Sequence, residues 1–171
     1  GHAWSQYNLG ALAENGTAVP QDFKNAIKWY TLAAVQGLYI AQNQLGMLYA
    51  HGKGVPKDQK EALKWWTLAA KQGYAQSQAE LGLMYAEGKG VPKDQKEALK
   101  WWTLAAKQGH SGSQNELGLM YANGKGVSRS YEIAYMWWHI IVLNGNNNII
   151  KNRDILAQRM KPAAIERAKA K

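Results

Sequence analysis

The side chains best able to grip a ligand are three tryptophan pairs, Trp65-Trp66, Trp101-Trp102 and Trp137-Trp138, because an indole face stacks on sugar rings and on nucleobases. They share a helix face with alanines such as Ala62, Ala69 and Ala70 and recur at a fixed interval, so core packing is the favoured reading. Sugar binding or an enzyme site built on them is the distant one. Six lysines, Lys24 and Lys28, Lys60 and Lys64, Lys96 and Lys100, could line up as a basic ridge for nucleic acid or an anionic surface, in keeping with a net charge of +9. Glu61 and Glu97 interrupt that row, arginine is sparse, and Glu132 and Met136 replace it further on, so a solvated helix face is favoured and nucleic acid is the alternative partner. The stretch Gly-Lys-Gly-Val-Pro-Lys-Asp, at 52–58 and again at 88–94, is superficially like a phosphate-cradling loop. It lacks the Gly-Lys-(Ser/Thr) ending and a preceding strand, and its glycines serve a turn. His51, His110 and His139 neither pair at i, i+4 nor recur, and the chain has no cysteine. The sequence therefore leads us to expect no metal site, no disulfide and no thiol nucleophile. The twelve carboxylates sit mostly at helix caps or beside lysines. No catalytic residue and no cofactor is expected.

These side chains are held by a repeat. Leu9-Gly10, Leu45-Gly46, Leu81-Gly82 and Leu117-Gly118 are spaced by 45−9, 81−45 and 117−81, each 36. Tyr49, Tyr85 and Tyr121 keep the interval, as do Gly52, Gly88 and Gly124, and Trp29, Trp65, Trp101 and Trp137; Lys53 to Gly73 recurs unchanged as Lys89 to Gly109. Within a unit, Gln76 to Ala86 has helical periodicity and ends at Gly88. Asp58 and Asp94 stand three residues before Glu61 and Glu97, the spacing of a capping box that opens a second helix, which stops at Gly73 in the first of these copies. That second helix carries Ala62, Trp65, Trp66, Ala69 and Ala70 on one face, and Trp65 and Trp101 are expected in the core. Gly46, Gly82 and Gly118 lie inside the first helix, where glycine costs about 1 kcal/mol relative to alanine. They are expected to let it approach Ala62, Ala98 or Ala134 closely. Two helices cannot bury such a face alone, so the units stack.

The run Leu-Gly-x-x-Tyr-x-x-Gly-x-Gly-Val-Pro-x-Asp-x-x-x-Ala-x-x-Trp-(Trp/Tyr)-x-x-Ala-Ala-x-x-Gly resembles the Sel-like repeat family, relatives of the tetratricopeptide repeats. It covers residues 4 to 145 in four copies. The outer copies depart from it, with Ala13 for Tyr and Ala18 for Gly in the first, and Ser128 for Pro and Ser130 for Asp in the fourth. The expected fold is all-α, a right-handed α-α superhelix in one domain over 1–171. Its helix pairs are expected at about 3–36, 40–72, 76–108 and 112–144, with closing helices within 149–169, from Ile149 to Gln158 and from Pro162 to Lys169. The resemblance implies a protein-binding scaffold with no reaction of its own, in bacteria, at the envelope or secreted.

In the parent tetratricopeptide geometry the first helices line the concave side. Mapped onto this chain, that side carries Tyr7, Asn43, Met47, His51, Leu83, Glu87, Asn115, Leu119 and Asn123, a mildly apolar groove with amide and acidic spots suited to a protein or peptide partner. The competing reading is that Leu83 and Leu119 only pack between repeats. No apolar run approaches the ~20 residues of a membrane span. Helical patterning begins at residue 3, directly behind Gly1-His2, which leaves room for an export signal or further repeats ahead of it. Trp4 and Tyr7 then form an apolar N-terminal edge, expected to meet another repeat, a partner or a second copy of the chain.

Overall fold

The computed structural model describes residues 1–16 and 20–170; Ala18 and Lys171, which figured in the sequence reading, lie outside them. Among the described residues there are ten α-helices, one 3-10 turn and no strand. The all-α repeat architecture expected from the sequence is what forms. One compact unit, residues 1–93, contains α1 (Ala3–Asn15), α2 (Phe23–Val35), α3 (Tyr39–His51), α4 (Gln59–Lys71) and α5 (Ala75–Glu87). A second, from residue 94 onward, contains α6 (Gln95–Lys107), α7 (Ser111–Asn123), α8 (Tyr131–Leu143), the 3-10 turn Asn147–Ile149, α9 (Ile150–Ala157) and α10 (Pro162–Lys169). First helices begin at 3, 39, 75 and 111 and second helices at 23, 59, 95 and 131, always 36 apart, and each is 13 residues long. No helix among the described residues is long and apolar enough to cross a membrane.

Local chemistry explains the boundaries. Asp58 accepts from the backbone N–H of Lys60 and Glu61, Asp94 from Lys96 and Glu97, and Asp22 from Asn25, satisfying donors that the first turn leaves open. The fourth repeat, which lost this aspartate, keeps the cap through Ser130, which accepts from Ile133 N–H. Only half of the expected capping box is built, because the Glu61 carboxylate turns to Lys64 at 2.7 Å instead of reaching back to the cap. The first helices end on glycines in the left-handed region, Gly52 at φ +70° and Gly88 at φ +76°, where a side chain would be strained.

Two sequence expectations about the core need correction. Gly10, Gly46 and Gly118, inside α1, α3 and α7, do not make room for an alanine. A Cβ on Gly46 would lie 2.5 Å from Cδ1 and Nε1 of Trp66; one on Gly10 would lie 2.7 Å from the Tyr30 ring, and one on Gly118 would collide with Trp138. The glycine is a seat for the ring of its own repeat, which settles its cost in helix propensity through burial of a large aromatic. It follows that the second member of each pair is the core residue: Trp66, Trp102 and Trp138 are buried, whereas Trp65 and Trp101, the pair members expected there, are half-buried. Trp65 packs from outside onto the cluster formed by Ala33, Ala34, Leu38, Ala41 and Leu45 of the preceding helices.

A second periodic feature escaped the sequence reading. Gln6, Gln42, Gln78 and Gln114, again 36 apart, are buried. Gln42 Nε2 donates to the Ala34 carbonyl at 3.1 Å in the preceding second helix and Gln42 Oε1 accepts from Gln72 Nε2 at 2.8 Å in its own repeat, so one amide ties three helices. Gln6 likewise accepts from Gln36, and Gln114 donates to Ala106. At the end of the series Gln114 Oε1 is buried without a partner, where the position equivalent to Gln72 (72 + 72 = 144) holds the shorter Asn144.

Candidate functional site

The open side of the first helices carries one small pocket repeated in register. In the first unit, Glu14, Gln44, Met47 and His51 enclose a pocket of about 120 Å³ between α1 and α3. His51 also lines the next, about 190 Å³, with Ala50, Trp66, Glu80, Leu83 and Met84 between α3 and α5. In the second unit a pocket of about 270 Å³ is lined by Leu119, Ala122, Asn123, Tyr131, Trp138, Asn152, Ile155, Leu156 and Arg159. Asn152 − Glu80, Ile155 − Leu83 and Leu156 − Met84 all differ by 72, twice the repeat. The helix α9 therefore stands to α7 and α8 as α5 stands to α3 and α4, although its sequence has lost the motif.

Of the nine residues mapped to the concave side, five meet in these pockets: Met47, His51 and Leu83 in the first unit, Leu119 and Asn123 in the second. Leu83 is exposed, and Met47 and Leu119 are half-buried, Leu119 packing in part against the cluster that contains Ala134, Tyr135 and Trp138. His51 Nδ1 is 2.9 Å from the Met47 carbonyl; as that oxygen can only accept, Nδ1 carries the proton and Nε2 is the acceptor of the neutral ring. Asn115 lines a separate pocket with Asn146, Asn148 and Ile149, and its Oδ1 is buried without a partner. Glu87 is exposed and paired with Lys89 at 2.5 Å. Tyr7 packs its ring 5.5 Å from that of Tyr30. Asn43 departs from its expected role: it is buried, accepting from Ser77 Oγ at 2.9 Å, so its amide oxygen joins α3 to α5.

The polar groups at the pocket rims differ from one register to the next. Glu14 accepts from the Tyr30 hydroxyl at 2.7 Å, and burial, followed by that hydrogen bond and the carboxylate's charge, holds the Tyr30 phenol protonated. Glu80 accepts from Gln76 at 2.8 Å. The sequence also maps Glu14 to this side, but Glu80, Asn152, Ile155 and Arg159 were not reached from it. Glu80 stands one repeat after Gln44, which was not mapped either, whereas Asn152 and Ile155 lie on α9 and Arg159 just after it, outside the motif.

The lysine row lies on exposed surface, where Lys64 and Lys100 pair with Glu61 and Glu97 at 2.7 Å, raising the lysine pKa values through that hydrogen bond and charge. Of the histidines, His110 caps α7 by accepting from Ser113 N–H, and His139 stacks on Tyr135. Among the described residues no group of three or more His, Asp or Glu side chains could hold a metal.

The sequence model of the Sel1 repeat matches residues 5–38, 40–74, 75–110 and 111–146. Among solved structures the chain is similar to c5321, a protective antigen present in uropathogenic Escherichia coli strains displaying an SLR fold, at 42% identity and a TM-score of 0.83, over 84% of this chain and 31% of that one. It is also similar to a Sel1 repeat protein from Oxalobacter formigenes, at 33% identity and a TM-score of 0.81, over 86% of this chain and 59% of the other. The chain thus spans about a third and less than two thirds of these two proteins. No curated protein matches it.

Proposed function

Because the chain belongs to the Sel1 repeat family, whose members generally mediate protein–protein interaction on a typically non-catalytic scaffold, we propose that it holds a segment of a partner protein along the open side of its first helices. One observation carries the reading: a pocket with an apolar floor recurs in register while the residues at its rim change. A constant floor suits the spaced side chains of a peptide. Rims that differ, Glu14 and Gln44 in one place, Asn123 and Asn152 in another, are what a specific partner needs, since amides can hold peptide backbone. The lysine row supports a polyanion site less well, as two of its six members are already paired with carboxylates.

The test starts from a partner recovered by affinity capture with the full chain. Met47→Asp with Leu83→Asp, with circular dichroism unchanged, is expected to weaken binding by at least about tenfold, or about 1.4 kcal/mol by calorimetry. Lys64→Gln with Lys100→Gln should change it little. The opposite pattern, with affinity falling steeply as salt rises, would replace the groove by the lysine ridge.

A second reading concerns association through the outer face of the first repeat. Leu9 and Leu12 are 42% and 41% exposed, whereas their equivalents Leu45, Leu81 and Leu117, and Leu48, Met84 and Met120, are 0–2% exposed. The face that is covered in each later repeat is open in the first, which favours its docking another helix pair or a second copy.

A further inference from the structure

Resting on the groove reading, we propose that the pocket between α7, α8 and α9 recognises an acidic peptide segment, one in which an apolar side chain stands beside a carboxylate. The same pocket in the first unit is lined each time by a glutamate, Glu14 in one register and Glu80 in the other. In the second unit the position of Glu80 is Asn152, and Arg159 enters from one turn further along, at the position equivalent to Glu87 (87 + 72 = 159). No carboxylate lines this pocket among the described residues. The neighbouring acids are engaged elsewhere, Asp154 with Arg153 at 2.7 Å and Glu132 with Arg167 at 3.0 Å. A second cation, the Arg129 guanidinium, lies 5.4 Å from the centre of the ring of Tyr131, one of the lining residues.

The walls complete the recognition. Leu119 is half-buried and Ile155 is 54% exposed; together they form an apolar wall for one side chain. The volume of about 270 Å³ is just under the roughly 300–1,000 Å³ of small-molecule sites, which suits a single residue of a peptide. Arg159 has no carboxylate partner among the described residues, and a guanidinium takes a carboxylate through two parallel N–H donors. Asn123 and Asn152 can donate to backbone carbonyls and accept from backbone N–H. Nucleic acid fits less well, because the exposed face of Tyr131 that a base would need is shared with Arg129.

The experiment uses the full chain, isotopically labelled, and two blocked hexapeptide probes, acetyl-Gly-Ser-Glu-Leu-Gly-Ser-amide and its counterpart with glutamine for glutamate. The acidic probe is expected to shift the side-chain amide resonances of Asn123 and Asn152 saturably, with a dissociation constant on the order of 1 mM. The glutamine probe should bind about fivefold more weakly, the upper end for an exposed ion pair. Arg159→Gln, on exposed surface, should leave thermal unfolding unchanged, lower the affinity for the acidic probe by that same factor and leave the glutamine probe unaffected. Equal binding of the two probes, shifts confined to the lysine rows, or no shift up to about 10 mM would overturn the proposal. Its failure is separable from that of the groove reading: if Met47→Asp with Leu83→Asp still weakens the natural partner while the acidic probe is ignored, the groove stands and the charge assignment falls.

Discussion

The two sides of the first helices follow different rules. On the buried side the same contacts recur: glycine under an aromatic ring at Gly10, Gly46 and Gly118, and a glutamine tie at Gln6, Gln42 and Gln114. On the open side the pocket recurs but its chemistry does not, passing from Glu14 and Glu80 to Asn152 and Arg159. The difference shows where constraint lies. A ring seated on a glycine leaves little freedom for either partner, because a Cβ on Gly46 would stand 2.5 Å from the Trp66 ring, well inside van der Waals contact. A rim residue answers only to what binds there.

The comparison can be broken most forcefully within a tryptophan pair. Trp66→Ala removes the ring seated on Gly46 and is expected to destabilise by roughly 3 to 5 kcal/mol in chemical denaturation, while Trp65→Ala, half-buried, should cost about 1 to 2 kcal/mol. Equal losses would mean that the two positions are not divided into core and cover. A smaller effect, of opposite sign, sharpens the same comparison at the end of the glutamine series. Asn144→Gln restores the side-chain length that Gln72 uses to reach Gln42, and should stabilise by about 0.5 to 1.5 kcal/mol by giving the buried Gln114 oxygen a donor. No gain, with Gln114→Leu harmless, would show that this last tie carries no energy.

The smallest expected effect lies where repeats give way to the closing helices. Burial lowers the His139 pKa from 6.5, and Arg153 of α9 and Lys169 of α10 push it the same way, with its ring stacked on Tyr135. Below pH 6.5 the unfolded chain binds a proton that the folded chain resists, so the stability His139 contributes is present above that pH and is lost as pH falls through its lowered folded value. Denaturation midpoints measured from pH 7 to 5 should fall for the wild type and fall less for His139→Gln. Parallel curves would remove His139 from the closing contact.

Much of this was legible because the repeat is its own alignment. The helix pairs follow from the 36-residue interval and from Asp58, Asp94 and the terminating glycines, and the closing helices from the change of pattern after Gly145 and from Pro162, which does open α10. Met47, His51 and Leu83, mapped to the concave side by the parent geometry, line pockets in the structure. Asn43 was misjudged because helical periodicity separates faces by about 100° per residue and does not distinguish a groove wall from a neighbouring helix. Only the position of Ser77, 2.9 Å away, decides it.

The sequence by itself determined the period, the helices, their caps and the exclusion of thiol chemistry, since these depend on local backbone preferences and on residue types. Which ring of the pairs Trp65-Trp66 and Trp137-Trp138 is buried depended on which one Gly46 or Gly118 faces, a fact of packing between helices that adjacent positions in a sequence cannot separate. The same holds for α9. Nothing in Ile150–Ala157 repeats the motif, yet its packing on α7 and α8 places Asn152 and Ile155 in the register of Glu80 and Leu83, because an apolar face left open by the last repeat accepts any helix that can cover it.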